Sequence, residues 1–275
     1  MQEHGVALMS SSGIIDPAKS IYTGSRLTWL STIVGSLMFG FGMVLASGCG
    51  SKTLIRMGSG SLKAFVVFVV LGLSSYMTLK GIFGVLRVNT TETVFLTLSS
   101  NQDLPSILSA SLGMSKASLQ LVLGIALGGA LTLFALSKKN FWTLNNLLAG
   151  FGVGSAILGI WWVSGVLGFV AEDPNTLEEV FIVTNSGRME SLTYVAPYAY
   201  VIEWLTFYSD ASRKLTLGIA SVGGLVLGST IYSLVTKTFH WETFRDAEDT
   251  GNHIIGLEHI LVQQKTHRKV LRVVP

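Results

Sequence analysis

The chain predicts an all-α fold, a polytopic transmembrane helical bundle of about five spans plus short re-entrant half-helices, and three observations carry that expectation. Charged residues make up only 13% of its 275 positions, about half of the roughly 25% found in a soluble globular domain. Mean hydropathy is +0.55. Five stretches, 27–51, 64–79, 117–137, 140–171 and 215–236, contain no charged side chain at all. A charge at the centre of a lipid-facing helix costs about 2.5–3.5 kcal/mol on insertion scales, so the gaps between charges mark the spans.

The first, third and fifth stretches run 25, 21 and 22 residues. Each suffices for the ~20 residues that cross ~30 Å of hydrocarbon at 1.5 Å per residue. The second has 16 and is expected to continue through Lys80, its stem snorkelling, as far as Leu86. The fourth has 32, too many for one straight span. Its glycines (Gly150, Gly152, Gly154, Gly159, Gly165 and Gly168) predict tilt, a break or a short turn. Two apolar pieces of about twelve residues, 104–115 and 191–202, each hold one proline (Pro105, Pro197) and no charge. Too short to span, they are expected at the interface, as re-entrant half-helices, or as buried loops.

Smaller signals fill in the bundle. Gly124/Gly128, Gly150/Gly154 and Gly224/Gly228 have the small-xxx-small spacing of close helix contacts. Trp161, Trp162, Trp204, Trp241, Tyr198 and Tyr200 read as interfacial anchors. Glu203 and Asp210 read as a solvated loop, with an outer vestibule as the sharper alternative.

Composition also excludes function classes. Nineteen basic against sixteen acidic residues leave a net charge of +3, too little and too dispersed for a nucleic-acid partner. The single cysteine, Cys49, forbids an intrachain disulfide and any multi-cysteine metal site. His4, His240, His253, His259 and His267 lack metal-ligand spacing, so neither metal nor other cofactor is expected. Residues 1–12 lack the basic-then-apolar order of a secretory signal.

The segment from Gly40 to Leu62 carries the chemistry. An apolar helix runs into Ala46-Ser47-Gly48-Cys49-Gly50, where glycines on either side of the thiol free the backbone to unwind. Ser51, Lys52 and Thr53 follow with a donor, a cation and a second donor, and Arg56 comes one helical turn after Lys52. That set suits an oxyanion at a helix N-terminus. Gly50-Ser51-Lys52-Thr53 is not a phosphate-binding P-loop, which needs glycine directly before the lysine and a strand before the loop. Gly58-Ser59-Gly60 lacks the third glycine and the βαβ setting of a dinucleotide site. For Cys49 itself two readings stand side by side: a small buried hydrophobe at a helix end, or an open, electropositive thiol that hydrogen-bonds or reacts.

This segment, continued by 63–81, resembles the YeeE/YedE family of sulphur-transport membrane proteins. Asp16-Pro17-Ala18-Lys19-Ser20-Ile21-Tyr22, Thr184-Asn185-Ser186-Gly187-Arg188-Met189-Glu190-Ser191-Leu192 and Ala247-Glu248-Asp249-Thr250-Gly251-Asn252-His253 are family-like as well. The resemblance implies a multi-pass inner-membrane transporter or channel, not an enzyme, that passes thiosulfate or a related sulphur-containing anion inward by S–H hydrogen bonds. Cys49 matches a family relay cysteine, with Gly48 and Gly50 its flanking glycines, and Ser51, Lys52 and Thr53 are expected to support the path. The implied partners are the anion, membrane lipid and a small cytoplasmic sulphur-carrier protein. Two alternatives remain: a membrane thiol protein that carries sulphur as a persulfide on Cys49, and a fragment that transports nothing.

The expected organisation is one membrane domain over 1–256, then a polar, basic tail over 257–275. The family pattern implies further cysteine-bearing segments before the region of Asp16 and after Gly256. In place of the second, the chain reads Leu257-Glu258-His259 and onward into Lys265, Arg268 and Lys269, so a truncation with a shifted reading frame near Gly256 is expected. Genomic sequencing checks this: the frame-corrected codons after Gly256 should encode a glycine-rich apolar helix with a cysteine, and no such helix in any frame refutes the shift.

Overall fold

The computed structural model describes residues 2–45, 48–173, 177–210 and 212–243. The 257–275 tail, the 247–253 segment and the histidines beyond 243 lie outside them. Among the described residues the helices in chain order are α1 (Gln2–Ser11), α2 (Trp29–Leu45), α3 (Gly50–Gly58), α4 (Leu62–Leu79), α5 (Ile82–Asn89), α6 (Leu104–Leu112), α7 (Lys116–Leu136), α8 (Leu144–Leu148), α9 (Gly154–Trp162), α10 (Val195–Thr206) and α11 (Leu217–Val235). Two short antiparallel ladders accompany them. In one, β1 (Arg26–Leu27) meets β2 (Leu96–Thr97); in the other, β3 (Phe169–Val170) meets β4 (Val180–Phe181). Four helices are long and apolar enough to cross a membrane: Leu62–Leu79, Lys116–Leu136, Leu144–Leu167 and Leu217–Val235. The apolar α2, 17 residues long, is shorter, and with it these helices give the all-α, multi-span character that the uncharged stretches predict. Large apolar side chains such as Leu37, Phe41, Leu133 and Leu227 stand exposed along these helices, a surface suited to lipid rather than to water.

Two boundaries differ from expectation. α4 does not run on to Leu86: it ends at Lys80, whose N–H closes the last turn on Tyr76 and Met77, and α5 starts afresh after Gly81. The long fourth stretch is not broken either. Leu144–Leu167 is one helix in which π turns at Ala149–Val153 and Val163–Leu167 interrupt the α pattern. Each π turn accommodates an extra residue without leaving hydrogen bonds unmade, so the glycines here bend the hydrogen-bond ladder instead of ending it.

The chain packs as two compact units. The first takes residues 1–27 and 95–192. Its core is Ile15, Trp161, Phe181 and Met189, with Val6, Met9 and Ile157 against them. Trp161 is therefore interior rather than an interfacial anchor. Two of the family-like segments come together here: Ser20 and Met189 form a parallel bridge, and the Met189 N–H donates to the Lys19 carbonyl. The piece at 104–115 folds as α6, capped by Asp103, which accepts from the Ser106 N–H at 3.1 Å and also meets Lys116 at 3.7 Å.

The second unit takes residues 28–94 and 193–275. Leu54, Phe68, Tyr198 and Val222 form its core. The piece at 191–202 is the start of α10, which packs along α4 and touches α11, with Pro197, Tyr198, Ala199 and Glu203 buried. A twelve-residue helix this enclosed is a buried half-helix. After α11 the chain returns to the α3–α4 corner: Glu242 N–H donates to Gly60 O, Leu62 N–H to Glu242 O, and the Ser61 hydroxyl to Glu242 Oε2 at 2.8 Å. Burial works to raise the Glu242 pKa, but Ser61, Arg56 and Lys63 outweigh it and hold the carboxylate below its ordinary value.

Helix spacing in this unit does not follow the glycine motif. A Cβ at Gly224 or Gly228 meets nothing within 4 Å, whereas one at Gly58 lies 2.6 Å from the Val226 carbonyl and 2.8 Å from Ser229 Cβ. The close approach of α3 to α11 is set at Gly58. Gly58→Ala is expected to lower stability in detergent by about 1–3 kcal/mol through overpacking. Gly224→Ala is expected to be neutral or stabilising by up to about 1 kcal/mol. Thermal unfolding of the two variants side by side checks the contrast.

Candidate functional site

Cys49 sits at the head of α3, directly after Gly48. Its backbone is extended (φ −77°, ψ 167°), in the N-cap position of a helix whose first residue is Gly50. The thiol is exposed and lies 3.0 Å from the Ser51 hydroxyl. That hydroxyl first, and then the amide N–H of Lys52, hold the thiol below its ordinary pKa. The sulfur thus occupies the place where helix N–H groups and the positive end of the helix dipole favour negative charge.

The flanking glycines have different reasons to be glycine. Gly48 has φ +152°, and a Cβ there would lie 2.6 Å from Lys52 Cδ. Both the conformation and the lysine stem crossing above it require a residue without a side chain. Gly50 is helical, and a Cβ would meet Tyr194 and Tyr198 at 3.5 Å, an ordinary contact. Ser51, at the thiol, is partly buried and Lys52 is exposed. Thr53 points inward, 5% exposed, its hydroxyl 3.4 Å from the Cys49 carbonyl. It braces the turn and presents no donor to solvent.

Two residues of α10, one of them in contact with this site, were not apparent as such in the sequence. Tyr198, on α10, is fully buried and donates its hydroxyl to the Gly50 carbonyl at 2.5 Å, while its ring packs at 4.7 Å between centroids on Phe68 of α4. It is a brace for the Cys49 turn, not an interfacial anchor. Five residues further along α10 comes Glu203, which is no solvated loop residue. Its carboxylate is buried, with Lys80 Nζ at 2.7 and 2.8 Å from its two oxygens and Arg213 Nη1 at 2.8 Å from Oε1. Lys80 therefore meets a carboxylate where snorkelling to the interface was expected.

Four apolar helices of spanning length define a multi-pass membrane protein, in which an exposed thiol stands at the head of α3. The chain belongs to the sulphur transport family, which it matches over residues 1–256. It is also similar to two thiosulfate transporters TsuA. One, from Spirochaeta thermophila, is 40% identical over 57 residues, 21% of this chain and 17% of that protein. The other, from Escherichia coli K12, is 31% identical over 78 residues, 28% of this chain and 21% of that protein. The aligned parts thus take in about a fifth of each relative's length.

The geometry around the thiol makes a directional prediction. Ser51→Ala should raise the pH at which Cys49 reaches half its maximal rate of alkylation by a maleimide, because it removes the largest influence that lowers the thiol pKa. Tyr198→Phe should move that pH the same way, by releasing the turn that holds sulfur against Ser51 and the Lys52 amide. Rate-against-pH profiles on folded protein check both, and an unmoved Ser51→Ala profile refutes the assignment.

Proposed function

We propose that this protein carries thiosulfate or a related sulphur-containing anion across the cell inner membrane, as a transporter or channel, with Cys49 as the point of relay. Family membership supports the cargo class. The observation that carries the mechanism is the exposed thiol at the N-terminal end of α3, beside the Ser51 hydroxyl. A dianion entering this region is drawn by the exposed Lys52 and by the positive end of the helix. A neutral S–H then donates to it and lets it go, since a conducting site has to bind weakly enough to release. Gly48 keeps the turn open, and Ser51, Thr53 and Gly50 hold the sulfur in place. Lipid surrounds the apolar helices, and a small cytoplasmic sulphur-carrier protein is the receiving partner for cargo at the inner face.

The thiol's lowered pKa favours a second reading, a persulfide carrier. Here the Cys49 thiolate attacks the outer sulfur of thiosulfate, forming Cys–S–S⁻ and releasing sulfite with the electron pair of the broken S–S bond. Repulsion between a thiolate and a dianion opposes this approach, and it favours the relay of a neutral thiol. The two are separated by mass spectrometry after incubation with thiosulfate: the relay leaves Cys49 unmodified, and a persulfide on it establishes the carrier.

Uptake of labelled thiosulfate should be abolished by Cys49→Ala, and unaltered uptake removes Cys49 from the path. In the unmodified protein, uptake should be constant below the thiol pKa and fall as pH rises through it, because only the protonated thiol donates. The fall should begin at lower pH than for an ordinary cysteine, and Ser51→Ala should displace it upward.

A further inference from the structure

We propose that Lys80 and Arg213 form a second anion site, which takes a doubly charged oxyanion of the thiosulfate or sulphate class in exchange for the carboxylate of Glu203. The choice of ligand rests on the sulphur-anion role proposed above; the site itself rests on its own geometry. Glu203 is a buried carboxylate on the packed face of α10, its side chain 5% exposed, while Lys80 and Arg213 are 45% and 42% exposed. Both cations therefore reach solvent from positions where they already hold one set of oxygens.

The charge balance favours an incoming anion. One cation neutralises one buried carboxylate, yet Glu203 has two within 2.8 Å. Arg213 shares its guanidinium with Asp210, whose Oδ2 lies 3.6 Å from Nε, and the exposed Lys214 follows it in the chain. At the buried carboxylate itself two cations meet one anion, and the second is offset only by Asp210, whose side chain is 46% exposed. Helix packing alone does not require this arrangement, because apolar residues of similar size stabilise an interior at least as well as a buried ion pair. An ammonium and a planar guanidinium converging on two oxygens is the donor set that an oxyanion needs.

Glu203 acts as a tethered occupant. Its two oxygens satisfy the cations when no solute is present, and its return helps to expel a bound anion, which keeps affinity low enough for passage. The site also lies in line with the thiol's support. Five residues separate Glu203 from Tyr198, a distance of about 7.5 Å along the axis of α10, so both act on one rigid half-helix.

The test is equilibrium binding of labelled thiosulfate to the purified full chain in a Cys49→Ser background, where the thiol contributes nothing. Glu203→Gln should tighten binding roughly tenfold, about the value of one charge-assisted hydrogen bond returned to the ligand. Adding Arg213→Gln should remove the gain, and unlabelled sulphate should compete. Binding that is unchanged or weakened by Glu203→Gln, or a gain that survives Arg213→Gln, overturns the proposal. If Glu203→Gln yields no folded protein, Arg213→Gln alone should lower binding about tenfold, and unaltered binding refutes the site. Because every variant lacks the thiol, loss of the Cys49 relay hypothesis leaves this outcome untouched.

Discussion

A buried hydroxyl has to find its partner inside the protein, and that of Tyr198 finds one in the Gly50 carbonyl at the head of α3. That one bond ties a half-helix to the turn that holds the only thiol in the chain. Much of the second unit arranges itself around it. Phe68 of α4 packs on the tyrosine ring, Leu54 of α3 and Val222 of α11 close the cluster, and Gly58 lets α3 come near enough to α11 for that closure. Thr53 satisfies the Cys49 carbonyl from the same side, so sulfur is left as the group that faces outward.

The same unit shows how charge is used where it is expensive. The residues that end the spans or their flanking loops are paired across the fold: Lys80 and Arg213 on Glu203, and Glu242 beside Ser61 with Arg56 and Lys63 near it. These contacts stand at the two ends of α4, Glu242 at its start and Glu203 at its close.

The spans were legible in the sequence because insertion penalises charge so heavily that its absence over some twenty residues has one main explanation. The thiol segment was legible too, since glycine on both sides of a cysteine followed by serine and lysine is a local pattern. What escaped was long-range. Tyr198 looks like any membrane tyrosine until its hydroxyl meets a carbonyl 148 residues earlier, and Glu203 looks solvated until Lys80, 123 residues away, reaches it. Nothing in local spacing encodes such partners. One glycine pair misled for a related reason: Gly224 and Gly228 share a face of α11, but the face that α3 meets is the one carrying Val226 and Ser229. In the long helix, glycine composition announced irregularity without saying that it would take the form of π turns.

The second unit is split in sequence, residues 28–94 on one side and 193 onward on the other, with most of the first unit between them. A ribosome adds about 5–20 residues each second, so Lys80 waits on the order of ten seconds for Glu203, and Ser61 longer still for Glu242, which lies 181 residues later. Through that interval α3 and α4 sit in the membrane with no half-helix beside them and no clamp at their corner. The intervening unit meanwhile completes its own core as soon as residue 192 is made. Biogenesis of this protein is thus governed by delay: its thiol site is among the first parts to be synthesised and among the last to be built.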